Sequence, residues 1–255
     1  MKSYLEPATL LLIMLLTVVP AAAQLVDDAH RQQALQRYRA GQELLYSEQF
    51  EKAEQEFAAA IQLDPLLTLA HYGRGQAFMA LKRYSSAIQA FTKCREAYQT
   101  LFGMRQSDVV SMDRRADQEI RELQDTISAL QTGRVKGMGG SAGTVDSRVA
   151  QLEARIRDLR QLRQVGTGRF EPPAEVSLAL GSAYYRSGSA ADAEREWSAA
   201  IAANPKLGEA HNNLAVLYLQ TGRANEAEEA IKNAKKAGFR VNPQLEKDIK
   251  KAKGS

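Results

Sequence analysis

The chain has 255 residues, 34 Lys or Arg against 30 Asp or Glu, a formal net charge of +4, and 44% hydrophobic and 25% charged residues. That balance supplies a core for one or two domains and excludes a disordered polyelectrolyte. So small a basic excess does not argue for nucleic acid, and the single cysteine, Cys94, excludes an intramolecular disulfide.

In chain order, residues 1–23 read as a secretory signal peptide: Lys2, an uncharged run from Ala8 to Val19, then Pro20 and an Ala-x-Ala site ending at Ala23. Glu6 is untypical of such a leader. The run is shorter than the roughly 20 apolar residues of a membrane span. The expectation is therefore an exported, periplasmic or secreted protein of a bacterial envelope, with an uncleaved N-terminal anchor as the alternative. Cys94 reads as a small buried residue rather than a reactive thiol.

Sliding the sequence against itself gives a period of 34. Gly41, Phe50, Ala53 and Phe57 return as Gly75, Tyr84, Ala87 and Phe91. Gly181, Tyr184, Gly188, Ala193 and Trp197 return as Ala215, Tyr218, Gly222, Ala227 and Ile231. Four copies thus exist in two pairs. Small residues at 41, 53 and 60 let two helices approach closely, while Leu44 and Phe57 fill the space between them. Each copy leaves an apolar face that only a neighbour can cover, and two copies alone would be marginal, so all four are expected to stack together.

The pattern resembles the tetratricopeptide repeat over 34–98 and 174–240. Repeat one carries it at Gly41, Leu44, Phe50, Ala53, Phe57, Ala60 and Pro65; repeat three carries it at Gly181, Tyr184, Ala190, Ala193, Trp197, Ala200 and Pro205. Repeat two lacks the closing proline, and repeat four has Ala215 for glycine and Phe239 where proline would fall. The resemblance implies an all-α fold: a right-handed α-solenoid of four helix-turn-helix repeats. Residues 24–98 hold repeats one and two, 171–240 hold repeats three and four, and 99–170 are inserted between them.

Within the insertion, Val109, Met112, Ala116, Ile120, Leu123, Ile127 and Leu130 fall at spacings of three and four, as do Val145, Val149, Leu152, Ile156, Leu159 and Leu162. Five glycines from 133 to 143 separate the two seams. The expected structure is an antiparallel coiled-coil hairpin that projects from the solenoid as a mixed-charge surface, either packing only on itself or offering a second copy or a partner helix a contact. Residues 241–255 read as a capping helix, with Asn242 as N-cap, Pro243 at the first position, and Leu245 and Ile249 facing inward. From Lys232 onward, eight Lys or Arg stand against two acids. That basic end reads either as a solubilising cap or as a contact for lipid headgroups.

No arrangement of residues argues for an enzyme, a metal or a cofactor. The glycine-rich stretch around Lys136 lacks the strand and the adjacent Ser or Thr of a phosphate loop. His71 and His211 share one register position in repeats two and four, which explains them as repeat residues. The resemblance instead implies a concave groove lined by the first helix of each repeat. There Tyr38 and Gln42 recur as Tyr72 and Gln76, with Tyr185 and Asn212 further along. An aromatic followed by an amide suits stacking and hydrogen bonding with a peptide. The Lys and Asn clamp that the family uses for a terminal carboxylate is missing. The expected function is a non-catalytic adaptor, scaffold or assembly factor of the cell envelope that binds a peptide or helix of another protein. The alternative is a peripheral membrane protein held by its basic end or its leader.

Overall fold

The computed structural model describes residues 26, 28–105, 109–132, 142–164 and 172–254, and the leader lies outside them. The described residues form eleven helices and no strand. Four antiparallel pairs carry the repeats: α1 (Asp28–Tyr46) with α2 (Phe50–Leu63), α3 (Thr68–Ala80) with α4 (Tyr84–Arg105), α7 (Ala174–Arg186) with α8 (Ala190–Ala203), and α9 (Gly208–Gln220) with α10 (Ala224–Lys236). Between the second and third pairs come α5 (Val109–Gln131) and α6 (Ala142–Gln164), and α11 (Pro243–Lys253) closes the chain.

Each pair turns in the same way. Glu48, Lys82, Gly188 and Gly222 hold φ between 58° and 89°. The next N–H in each turn reaches back five residues: Gln49 to Leu44, Arg83 to Phe78, Ser189 to Tyr184 and Arg223 to Tyr218. This closes the last turn of each first helix and reverses the chain within three residues. The second helices of repeats one and three end at Asp64 and Asn204, whose side chains accept from the N–H of Leu66 at 3.0 Å and Lys206 at 3.1 Å. The repeat histidines bind the same turns. His71 Nε2 lies 2.9 Å from the Pro65 carbonyl, and His211 Nε2 lies 3.2 Å from that of Pro205.

The helices of a pair meet at a glycine and an aromatic ring. A Cβ on Gly75 would stand 2.5 Å from the Phe91 ring, and one on Gly181 would stand 2.5 Å from the Trp197 indole. The stacking is continuous across the insertion. α4 packs on α7 as α2 packs on α3 and α8 on α9. Val176, Leu180 and Ala183 of α7 share one buried cluster with Phe57, Phe91 and Tyr98. α4 itself runs on to Arg105, past the expected boundary at 98.

The cap is held as its sequence implies. Asn242 accepts from the Gln244 N–H at 2.8 Å, Ile249 is buried against the last repeat, Lys235 pairs with Glu246 at 2.6 Å, and Lys253 pairs with Glu228.

The inserted helices do not project. α5 and α6 pack on each other and fold back onto the concave side of repeats one and two. Ile120, Leu123, Ile156 and Leu159 join the same buried cluster as Tyr38 and Phe57. The seam therefore serves the core of the whole molecule rather than a free-standing arm, because burying it against the groove removes more apolar surface from water than self-packing alone.

Candidate functional site: the concave face of the repeats

The first helices of the repeats, α1, α3, α7 and α9, line the concave face. α6 lies across its N-terminal half. Arg148 Nη2 donates to Gln76 Oε1 at 3.1 Å, and its guanidinium stands 5.4 Å from the Tyr46 ring centre. Seven residues on, Arg155 Nη2 donates to Thr68 Oγ1 at 3.3 Å. Its guanidinium stands 4.6 Å from the centre of the Tyr72 ring and 5.6 Å from that of Tyr98. α6 thus runs antiparallel to α3, with an arginine docked every two turns.

α5 contributes charge of both signs. Arg115 lies 2.9 Å from Asp64, and Thr68 Oγ1 donates to Glu119 at 3.0 Å, so Thr68 links Glu119 to Arg155. Glu122 accepts both Nε and Nη2 of Arg39. Burial pushes the Glu119 carboxyl above the usual carboxylate range, against the opposing pull of Arg115 and Arg155.

The residues expected to contact a partner divide into two groups. Tyr38 is only 2% exposed: its ring packs 6.0 Å from that of Phe57, and burial pushes its hydroxyl far above the ordinary tyrosine range. Gln42, also buried, donates to the Tyr38 oxygen at 3.1 Å. This corrects the expectation that both face a partner, since the docked hairpin covers them. Tyr72 is half-buried between Phe91 and Arg155, and Gln76 is held by Arg148. These four residues and α6 form one site. Tyr185 and Asn212, both half-buried, lie on repeats three and four, where Tyr185 packs 5.6 Å from Trp197 and donates to Gln220 at 2.7 Å.

Beside α6 the concave face stays open. A cleft of about 390 Å³ runs from the end of α1 across α3 and α7 to α9. Leu45, Met79, Leu178 and Ala179 supply apolar surface, and Gln76, Arg148, Gln151, Ser182 and Glu209 supply polar groups. Burial raises the Glu209 carboxyl, against a hydrogen bond from Gln151. The sequence reading missed Arg148, Gln151 and Arg155. Its one usable signal was that Arg148 and Arg155 sit seven apart beside the seam residues Leu152 and Ile156.

Paired helices with one turn geometry, glycine-to-ring contacts and unbroken stacking agree with a family profile described as Tetratricopeptide repeat, which matches residues 38–100 and 178–238. The chain is a tetratricopeptide-repeat protein. Such proteins are typically non-catalytic modules for protein–protein interaction.

Among solved structures, the tetratricopeptide-repeat chain is similar to PilW, a type IV pilus biogenesis factor, at 16% identity over 88% of this chain and 87% of that one, with a TM-score of 0.40. It is similar to YrrB, a TPR protein with an unusual peptide-binding site, at 17% identity over 87% and 92% with a TM-score of 0.29. A thermophilic TPR protein of Thermus thermophilus matches at 17% identity over 87% and 100% with a TM-score of 0.27. Comparison with curated proteins found no match. Among the described residues no helix is long and apolar enough to cross a membrane, and no group of His, Cys, Asp or Glu could hold a metal ion.

Proposed function

We propose that this tetratricopeptide-repeat chain is an exported adaptor or assembly factor of the cell envelope. In this reading it receives a peptide or helix of a partner protein in the open half of its concave face. The observation that carries it is the cleft between α6 and helices α3, α7 and α9, which combines an apolar floor with Gln76, Arg148, Ser182 and Glu209 at its edges. That combination suits a peptide: apolar side chains fill the floor, and edge groups of both charges fix its backbone and direction. Tyr72 and Gln76 belong to this surface, and Tyr185 and Asn212 extend it. Tyr38 and Gln42 act from beneath as scaffold.

Export rests on the sequence of residues 1–23. Lys236, Lys247 and Lys250 are exposed at the basic end and keep the membrane-peripheral reading as the second one. The seam residues Leu123 and Ile156 are consumed inside the chain, which leaves less apolar surface for a second copy to bind through the hairpin.

A photo-crosslinking residue at Ser182, compared with one at Lys93 on α4, tests the cleft in intact cells. The same partner should be captured only from Ser182, and Ala179→Trp, which fills the cleft, should abolish it. Capture that ignores Ala179→Trp overturns the reading. Cell fractionation with N-terminal sequencing tests location: a soluble envelope species beginning at Gln24 is expected, and a membrane-bound species retaining Met1 overturns export and favours the second reading.

A further inference from the structure

Beside the apolar seam, the contact between the hairpin and repeats one and two buries a charged network. Arg115, Glu119 and Arg155 are each 3% exposed, and they meet Asp64 and Thr68, which are equally buried. The network is also incomplete. Arg155 Nε and Nη1 and Arg115 Nη1 have no hydrogen-bond partner among the described residues. Removing two arginines and two acids from water costs more than their attraction returns unless every group is paired. When the two surfaces are apart, water satisfies all of these groups. This part of the contact therefore has the chemistry of two surfaces able to exist apart.

The repeat side is complementary to a cation. Tyr72 and Tyr98 present ring faces, Thr68 an acceptor and Asp64 a carboxylate, and Glu175 lines the same enclosed space as Arg155 with its Oε2 free of any hydrogen-bond partner among the described residues. Guanidinium groups are suited to such a place because they stack on aromatic faces while donating at their edges. On α6, the inserted arginine is flanked by Leu152, Ile156 and Leu159, which enter the apolar cluster around it.

We propose that the groove of repeats one and two is a recognition site for an arginine-bearing amphipathic helix, filled in the resting chain by α6. A partner helix of the same chemistry, one arginine with aliphatic residues three before and one and four after it, takes the site by displacing the hairpin. This does not rest on the open cleft, and either reading can fail alone.

The test uses the full chain and a fluorescent peptide of residues 145–160. The peptide should bind saturably, and its Arg155→Ala version at least about tenfold more weakly. A full chain carrying Arg155→Ala in its own hairpin should bind the natural peptide about tenfold more tightly, because its internal competitor is weakened. If circular dichroism shows that this chain does not fold, the Arg155→Lys chain replaces it. In hydrogen exchange, peptide binding should deprotect α5 and α6 while α2, α3 and α4 stay protected. Absence of saturable binding, binding indifferent to the peptide's arginine, or exchange of hairpin and repeats as one unit overturns the proposal.

Discussion

Arg95 on α4 and Glu196 on α8 form an ion pair at 3.0 Å across 101 residues of sequence. It ties the second repeat to the third over the insertion, in parallel with the packing of α4 on α7. Glu196 is buried, so removing its partner leaves a desolvated carboxylate whose remaining cation among the described residues is Arg195 at 3.8 Å. Arg95→Ala should therefore destabilise the chain by about 1–3 kcal/mol, read as a lower urea midpoint of a single transition. Two separated transitions in the natural chain would show that the two repeat pairs fold apart.

Glycine substitutions should divide by what their Cβ meets. Gly75→Ala and Gly181→Ala push a methyl against the Phe91 ring and the Trp197 indole, each 2.5 Å away, and should cost about 1–3 kcal/mol. Gly103→Ala, exposed within α4 with nothing near its Cβ, should stabilise by about 0.5–1 kcal/mol. Thermal melts of the three variants check the order.

The turns of repeats one and two place Glu48 and Lys82 at φ of 59° and 58°, where repeats three and four have Gly188 and Gly222. A side chain in that left-handed region is strained. Both Glu48 and Lys82 are exposed, so Glu48→Gly and Lys82→Gly should each stabilise by up to about 1 kcal/mol in urea titration. Gly188→Ala should do the reverse.

Tyr38 is core. Tyr38→Ala removes a buried ring from between Phe57 and the hairpin and should cost about 3–5 kcal/mol. Tyr38→Phe, which takes only the oxygen that Gln42 donates to, should cost about 1 kcal/mol. A Tyr38→Ala chain as stable as the natural one in denaturant would mean that the hairpin does not cover this residue in solution.

Alkaline pH should weaken the fold through Cys94. Its Sγ donates to the Thr68 carbonyl at 3.4 Å, and burial pushes the thiol up to about 11. The unfolded chain loses this proton from about pH 8.5. The stabilising contribution is complete below that value and is lost as pH rises through 11. Comparing urea stability at pH 7 and about 10.5, the natural chain should lose on the order of 2 kcal/mol more than Cys94→Ala, whose titrating group is gone.

Much of the architecture was legible in order along the chain. Gly41 with Phe57, or Gly181 with Trp197, are sixteen residues apart and interact within one repeat, so their spacing alone announces the helix pair. The hairpin helices were equally legible as helices, from their three-and-four spacing. Their destination was not. Arg115, Glu119 and Arg155 read as a solvated face because charge on an amphipathic helix usually is one, whereas their partners Asp64 and Thr68 lie 51 to 87 residues away. Tyr38 and Gln42 were misjudged for the same reason: register placed them on the groove, and nothing local showed that another part of the chain fills it.

The sequence by itself determined the repeat, its period, the small-to-large pairing that closes each pair and the helix that caps the last, because these depend on contacts between residues close in the chain. Only the tertiary structure decided that the inserted helices turn inward, that Arg155 sits between Tyr72 and Tyr98, and that the open half of the groove lies beside α6. Those outcomes depend on complementary charge and shape between segments far apart in sequence, and such complementarity leaves no periodic trace along the chain.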